Sequence, residues 1–250
     1  VFDTPASENA LTGFAIGASL NGYIPILVHQ RIDFALLSLD QIINGAAKYY
    51  YMYGGKINVP ICIRLIMGRG WGQGPTHSQN FNSLFAQIPG LKVVAPSLPN
   101  DAKNLLYSSI LDPDPVIFLE HRWLHFTKGS IDKSYKKNEI GKCTVIRKGR
   151  HLTLCTMSYM VIEAIKAANI LIDFGIEIEI IDLRTIRPID FKTINKSISK
   201  TSALLCVDPG ANNFSISNTI ISYYALKNKK FKYKPEIIAM PNSSEPTSHY

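Results

Sequence analysis

The residues of this sequence best able to carry chemistry are a glycine-rich loop, the histidine after it and a solitary glutamate near the start. Gly68-Arg69-Gly70-Trp71-Gly72-Gln73-Gly74 leads through Pro75-Thr76 to His77. It lies between a strand-like run, Val59–Leu65, and a helical pattern over Ser78–Gln87, the place where α/β folds bind ligands. No Gly-Lys-Ser/Thr follows, so it is not a phosphate-binding P-loop, and the dinucleotide pattern also fails. The glycines read equally well as a tight loop needing positive φ and as a ligand loop. His77 favours the second reading, although a lone histidine is more often structural than catalytic. His29, His121 and His125 could line the same cleft, while His249 falls near the end. Glu8 precedes a helix rich in small residues and would by itself be an acid complementing the helix dipole.

A second place could attract a cation. Over Ser108-Ser109-Ile110-Leu111-Asp112-Pro113-Asp114 a helix end is followed by two carboxylates. The last helical carbonyls lack intrahelical partners, and the dipole there is negative. The alternative is a rigid turn, since Pro fixes φ and Asp favours turns.

These residues must be positioned by alternating helices and strands. Helices are expected over Asn9–Asn21, Phe34–Met52, Ser78–Gln87 and Pro99–Leu111, with strands at Ile24–Val28, Val59–Leu65, Leu91–Ala95 and Val116–Leu119. Continuously apolar strands separated by helices indicate a parallel sheet covered on both faces. From Phe126 to Gly141 the apolar period disappears, which reads as a linker. Beyond it the alternation resumes: strands at Cys143–Ile146, Leu152–Thr156, Ile176–Ile181, Ala203–Val207 and Ile237–Met240, helices at Tyr159–Phe174, Phe191–Ser199 and Ser215–Leu226. The fold expected is α/β in two domains, each a largely parallel sheet flanked by helices, with boundaries at 1–125, 126–141 (linker) and 142–250.

Composition narrows the function classes. The sequence has 250 residues and a net charge of +8. Residues 1–125 hold 8 basic and 8 acidic side chains, and residues 126–250 hold 19 and 11, so the excess lies in the second half. It concentrates in Lys128–Arg150 and Lys227–Lys234, which lack the aromatic platform of a nucleic-acid module. A solvated basic surface is the expectation, with no nucleic-acid partner. No apolar run reaches 18 residues, so no membrane span is expected. Cys62, Cys143, Cys155 and Cys206 show no C-x-x-C spacing, which predicts buried free thiols in a reducing compartment. No targeting segment can be read.

Taken in order, the motifs resemble a known family. Phe2-Asp3-Thr4-Pro5-Ala6-Ser7-Glu8, Asp40-Gln41-Ile42-Ile43-Asn44, Tyr51-Met52 with Gly54-Gly55, Thr76-His77-Ser78-Gln79, Pro89-Gly90-Leu91-Lys92-Val93-Val94-Ala95-Pro96 and Asp101-Ala102-Lys103 resemble the pyrimidine-binding domain of E1 β subunits of thiamin-diphosphate-dependent 2-oxo-acid dehydrogenases of pyruvate and branched-chain type. Ile181-Asp182-Leu183-Arg184-Thr185-Ile186-Arg187-Pro188 resembles the signature of the transketolase C-terminal domain in the same subunits.

The resemblance implies specific roles. Glu8 would hydrogen-bond the aminopyrimidine of thiamin diphosphate and favour its imino tautomer. Phe34 would stack on the pyrimidine, and His77 would face the substrate carboxylate and acyl acceptor. Ile61, Ser109, Ile110, Asp112 and Asp114 match a structural potassium site. The reaction implied is oxidative decarboxylation of a small 2-oxo acid with acyl transfer to a lipoyl carrier on an E2 acyltransferase. A carboligating, transketolase-like subunit and a non-catalytic assembly subunit are the competing readings. The Gly-Asp-Gly motif with a following Asn, which holds Mg²⁺ and diphosphate, occurs nowhere here. A partner α chain should supply it in an α₂β₂ heterotetramer. Arg31 stands where better-known members carry an uncharged residue, and the glycine loop departs from theirs. The family extends at both ends, including a final helix beyond Pro246-Thr247, so the chain is expected to be incomplete. The compartment implied is the cytoplasm, or the mitochondrial matrix or plastid stroma of a eukaryote.

Overall fold

The computed structural model describes residues 1, 3–70, 72–135 and 138–246. Phe2 of the opening motif, Trp71 of the glycine loop, His249 and the expected continuation past Pro246 lie outside the described residues.

The first helix, α1 (Glu8–Leu20), forms because Thr12, Ala15, Ile16 and Ser19 fall on one buried stripe at helical spacing. It leads into β1 (Ile26–His29). The expected single helix over Phe34–Met52 is instead three pieces: a 3₁₀ turn Phe34–Ser38, a π turn Gln41–Ala46 and α2 (Tyr49–Met52). The cause lies in the packing of α1 against this stretch. A Cβ on Gly45 would stand 3.1 Å from Ile16 Cδ1, and one on Gly13 would stand 3.1 Å from Gln41 Oε1. Two glycines permit that approach, and the backbone between them winds irregularly to follow it.

There follow β2 (Cys62–Met67), α3 (Asn82–Ala86), β3 (Lys92–Val94), α4 (Pro99–Ile110) and β4 (Val116–His121). The helix expected from Ser78 begins only at Asn82, because Pro75–His77 forms its own 3₁₀ turn. Among the described residues of 126–141 no helix or strand occurs, in keeping with their polar composition. The second half contributes β5 (Thr144–Arg147), β6 (Leu152–Thr156), α5 (Met160–Leu171), β7 (Ile178–Asp182), β8 (Thr185–Arg187), α6 (Phe191–Thr201), β9 (Leu204–Ala211), α7 (Ile216–Leu226) and β10 (Glu236–Met240).

Two five-stranded sheets result, ordered β1-β2-β4-β3-β8 and β10-β9-β6-β7-β5. Each is parallel except for one antiparallel edge strand, β8 in the first and β5 in the second. Ile63, Leu65, Ile117 and Leu119 are 0% exposed, as expected of strands covered on both faces. Each such side chain contributes about 1.5–3 kcal/mol by leaving water.

The two halves are joined covalently and by packing. Strand β8 was not foreseen, and it carries part of the second half into the first sheet, Val93 facing Arg187 and Val94 facing Thr185. One apolar cluster runs from Ala15 through Phe85, Ile181 and Ile186 to Tyr224. All four cysteines are free thiols, three of them buried, and burial pushes Cys62 and Cys143 up to about 12. Among the described residues no helix is long and apolar enough to cross a membrane.

Candidate active site

Strands β1, β2 and β4 are neighbours running the same way, so they deliver their C-terminal ends to one edge. The register sets His29 opposite Leu65 and Met67 opposite His121, which makes that edge nearly level. Sequence reading and topology agree on it as the place for a ligand.

The glycine loop leaves β2 at this edge. Its glycines answer to close approach. Gly68 has φ +110, and a Cβ there would lie 2.5 Å from His121 Nε2. Gly70 has φ +88, and its Cβ would lie 2.2 Å from Trp123 Cζ2. Gly68 and Gly70 thus lie close against the rings of His121, which ends β4, and Trp123 just after it. Tyr159, at the start of α5, completes the stack from the second half, 5.2 Å from His121 and 4.6 Å from Trp123 between ring centroids. Burial, followed by the charges of Arg69 and His125, pushes His121 down to about 4, so it is neutral at physiological pH. Its Nδ1 accepts from Trp123 N–H at 3.3 Å.

Past the loop, the Pro75–His77 turn is closed by Ser78 Oγ, which donates to the Gly74 carbonyl at 2.9 Å. This sets the His77 ring against Phe34, edge to face, with centroids 5.4 Å apart. Two of the three expected site residues, 43 positions apart in sequence, therefore meet. Glu8 reaches the same edge by another route. Its charge acts on His29, whose pKa burial lowers and Glu8 partly restores. The Glu8 carboxylate, half-buried in the first turn of α1, makes no hydrogen bond among the described residues. Among the described residues Glu8 forms no hydrogen bond or ion pair with His77.

Two buried polar atoms at this edge have no protein partner. His29, 7% exposed, leaves Nε2 unpaired. Asp33 accepts from Gln79 Nε2 at 2.7 Å through one oxygen and leaves Oδ2 unpaired. Buried polar atoms are rarely left so. An unengaged carboxylate, a half-buried aromatic face and orphaned polar atoms fit an aminopyrimidine, which needs a hydrogen-bond partner at one ring edge and an apolar surface against its face.

The five residues expected to hold potassium lie elsewhere, toward the N-terminal ends of the same strands. Both Asp112 oxygens accept from Lys92 Nζ, at 2.7 and 2.8 Å, and Asp114 Oδ2 lies 3.0 Å from the same ammonium. Asp114 N–H donates to Asp112 at 2.9 Å, as in a turn. Ser109 Oγ donates to the Leu105 carbonyl, the Ile61 carbonyl accepts from Val116 N–H, and Ile110 ends α4. Sequence reading missed Lys92 as the counter-charge, since Lys92 and Asp112 are 20 positions apart. A cavity of about 610 Å³ opens at this end, lined in part by Lys92, Asp114 and Arg187, away from Phe34 and His77. No group of three His, Cys, Asp or Glu side chains able to hold a metal ion occurs among the described residues.

Sequence reading also missed Tyr159 and the arginines Arg69 and Arg122. The available signal was their position, since Arg69 and Arg122 each follow the last residue of an apolar strand by two or one.

Fold and site together define a two-domain protein of the transketolase kind. Residues 1–126 match the family model of the transketolase pyrimidine-binding domain, and residues 141–248 match that of the transketolase C-terminal domain. The β subunit of the acetoin:2,6-dichlorophenolindophenol oxidoreductase of Cupriavidus necator is 42% identical over 225 residues, 90% of this chain and 67% of that one. Subunit beta-1 of the mitochondrial pyruvate dehydrogenase E1 component of Arabidopsis thaliana is 43% identical, over 84% of this chain and 59% of that one. The corresponding subunit of Rickettsia bellii is 40% identical over 84% and 65%. The chain therefore spans about three fifths to two thirds of the length of these curated relatives. A solved structure described as a split-gene transketolase, inactive beta4 tetramer, superimposes with a TM-score of 0.76 at 19% identity, covering 98% of this chain and 75% of that one, and shows the shared fold. The chain belongs to the family of E1-type β subunits built from transketolase pyrimidine-binding and C-terminal domains.

Proposed function

We propose that this chain is the β subunit of a thiamin-diphosphate-dependent 2-oxo-acid dehydrogenase and forms its half of the active site at the edge where β1, β2 and β4 end. The observation that carries the reading is the meeting of Phe34 and His77 at 5.4 Å, at the edge where β1 ends in His29, which feels the charge of Glu8. When bound, thiamin diphosphate supplies the chemistry that decarboxylates a 2-oxo acid. Glu8 hydrogen-bonds the ring nitrogen of the pyrimidine and holds a proton there. Phe34 offers its face to the same ring. His77, held against Phe34, is placed to donate to the substrate carboxylate or to the incoming acyl acceptor. Glu8, Phe34 and His77 all lie in the first domain, and Tyr159 closes one flank from the second.

A partner α chain is needed for the diphosphate and Mg²⁺, since this sequence has no Gly-Asp-Gly motif. An α₂β₂ assembly suits the surface. Phe14, Tyr23 and Leu37, on α1 and the segments after it, are 72%, 70% and 65% exposed. A partner covering them would also close over Glu8 and exclude water. A lipoyl-bearing E2 acyltransferase is the acyl acceptor of this reading. Potassium at Ile61, Ser109, Ile110, Asp112 and Asp114 is a structural adjunct, which would share the two carboxylates with Lys92.

The test is co-purification with the native partner chain, then turnover of a panel of 2-oxo acids with an artificial electron acceptor. Turnover that requires both chains, thiamin diphosphate and Mg²⁺ is expected. Carboligation without net oxidation would favour the transketolase-like reading instead, and no turnover of any kind would favour an assembly role.

A further inference from the structure

Four of the seven residues from Gly68 to Gly74 are glycine, and all four have positive φ, between +76 and +110. Such a chain has little conformational preference of its own, so its path is set by what it packs against. At its near end the support comes from rings: Cβ atoms on Gly68 and Gly70 would meet His121 and Trp123 at 2.5 and 2.2 Å. At its far end nothing lies within 4 Å of a Cβ placed on Gly72 or Gly74. That end is tied instead to the segment after β1, by Arg31 donating to Gln73 and, just beyond, by Gln79 donating to Asp33 at 2.7 Å. His77 N–H and Ser78 Oγ both donate to the Gly74 carbonyl, at 3.2 and 2.9 Å, so His77 goes where the end of the loop goes.

The near end is where the second half takes hold. Tyr159 immediately precedes α5, and Ser158 before it turns the chain through a left-handed conformation at φ +55. The Tyr159 ring stacks on His121 with planes 19° apart and meets Trp123 nearly edge to face, at 76°. His121 and Trp123 also meet each other, with centroids 5.4 Å apart. Three rings in mutual contact make a directional, well-packed support, because each pair is favoured only in certain orientations. Arg69, between the two supported glycines, lies 3.6 Å from Glu245, a second tie to the same half of the chain. Burial first, and then Glu163, push the Tyr159 hydroxyl up to about 12. It keeps its proton at physiological pH, and the ring is what Tyr159 contributes.

We propose that Tyr159 is a positioning residue of this site: by fixing the rings against which Gly68 and Gly70 pack, it sets where the loop delivers His77. This rests on the reading of His77 as a group that faces the substrate or the acyl acceptor. The second domain then takes part in the reaction by holding the loop, while the groups that touch the ligands come from the first. A shift of about 1 Å at a reacting group can cost on the order of 10²-fold in rate, which sets the scale of what the support is worth.

The test uses the complex with the partner chain, loaded with thiamin diphosphate and Mg²⁺. Tyr159→Ala is expected to lower kcat by about 10–100-fold. Tyr159→Phe, which keeps the ring, should stay within about twofold of the parent. In a His77→Ala background, Tyr159→Ala should lower kcat by no more than about twofold, because the group it positions is gone. An equal loss in both backgrounds would overturn the proposal, and so would a lowered melting temperature with kcat kept. Tyr159→Leu, of comparable bulk and without a ring, replaces the alanine variant if that one does not assemble. Carbethoxylation of His77 by diethyl pyrocarbonate, followed by peptide mass spectrometry, separates this inference from the reading it rests on. If the unmodified complex turns over no 2-oxo acid, the dehydrogenase reading fails and the His77 modification rate decides alone. A rate changed in Tyr159→Ala and kept in Tyr159→Phe upholds the positioning role, and a rate the same in all three removes it.

Discussion

Both sheets bring charged side chains to the C-terminal ends of their strands, but the two edges are put to different uses. In the second sheet, β7 ends at Asp182 and β9 carries Asp208, 0% and 2% exposed. Asp208 accepts from Asn82 Nδ2 at 3.2 Å, from Gly210 N–H at 2.9 Å and from Ser217 N–H at 3.4 Å. Asp182 accepts from Arg184 N–H at 3.0 Å, and Arg184 reaches across to Asp101 on α4 at 2.8 Å. These acids cap backbone and fasten the second domain to the first. In the first sheet the corresponding positions hold His29, Arg31, Asp33, Arg69 and Arg122, with His29 Nε2 and Asp33 Oδ2 left unmatched. Each edge keeps one buried carboxylate oxygen unmatched, Asp182 Oδ2 in the second sheet and Asp33 Oδ2 in the first, and the first adds the His29 imidazole nitrogen. The same topology therefore yields a joint fastened by Asp208 and by the Asp101–Arg184 pair, and an edge where, among the described residues, His29 and Asp33 have no such ties across the two halves.

Substitutions at the two edges should consequently fail in different ways. The largest effect is expected at the edge of the first sheet. His77→Ala should lower turnover of the complex by roughly 10²–10⁴-fold, the scale of a lost acid–base or charge-stabilising group, with cofactor binding preserved. Unchanged steady-state rates would return His77 to a packing role against Phe34. At the edge of the second sheet the loss should appear as stability. Asp101→Ala strands Arg184 in a site where the two side chains are 13% and 11% exposed, and should cost about 3–5 kcal/mol in denaturant unfolding. A midpoint within error of the parent would mean that the pair does not fasten the domains.

Asp182 offers a pH test of the same joint. Burial is the main cause that raises its pKa to about 7, with the hydrogen bond from Arg184 N–H and the Arg184 charge opposing. Because the folded value lies above the unfolded one, its contribution to stability is fully present below about pH 4 and is lost as pH rises toward 7. Asp182→Asn keeps an acceptor for the Arg184 N–H and cannot titrate. Relative to this variant, the parent's melting temperature should fall between about pH 4 and 7 and run parallel above. A constant difference across that window would show that Asp182 is ionised throughout. The smallest effect concerns the far end of the first sheet. In chloride salts of matched ionic strength, K⁺ should raise the melting midpoint over Li⁺ by the equivalent of about 1 kcal/mol, roughly 2–4 °C for a chain of this size, and Asp112→Ala should erase the difference. Equal midpoints would leave Lys92 as the sole cation of Asp112 and Asp114.

The joint and the site were not equally legible in the sequence. Alternating apolar segments disclosed two α/β units, because strands buried on both faces leave continuous runs such as Val116–Leu119. Glu8, Phe34 and His77 stood out through the motifs around them, and the glycine loop through its composition. The broken winding over Phe34–Met52 was hidden, since Leu36, Leu37, Ile42, Ile43, Ala46 and Ala47 satisfy a helical period while the contact of Gly45 with Ile16 that disrupts it is tertiary. Strand β8 was hidden for a related reason: three residues have no detectable period, and Thr185–Arg187 is a strand only because Val93 and Val94 pair with it. The arginines at the edge become a group only once β1, β2 and β4 are known to be neighbours. Non-local order, more than local propensity, separates what was read from what was missed.

The claim that the edge of the first sheet is a thiamin-diphosphate site is tested most directly at the cofactor itself, through exchange of its C2 hydrogen in the assembled complex. Glu8→Gln keeps the size of the side chain and a hydrogen-bonding group but removes the carboxylate that would promote the exchange. The rate should fall by roughly 10²-fold or more while assembly and melting temperature are retained. An exchange rate equal to that of the unmodified complex, with thiamin diphosphate still bound, would contradict the assignment of Glu8 and with it the reading of this edge as the pyrimidine half of the active site.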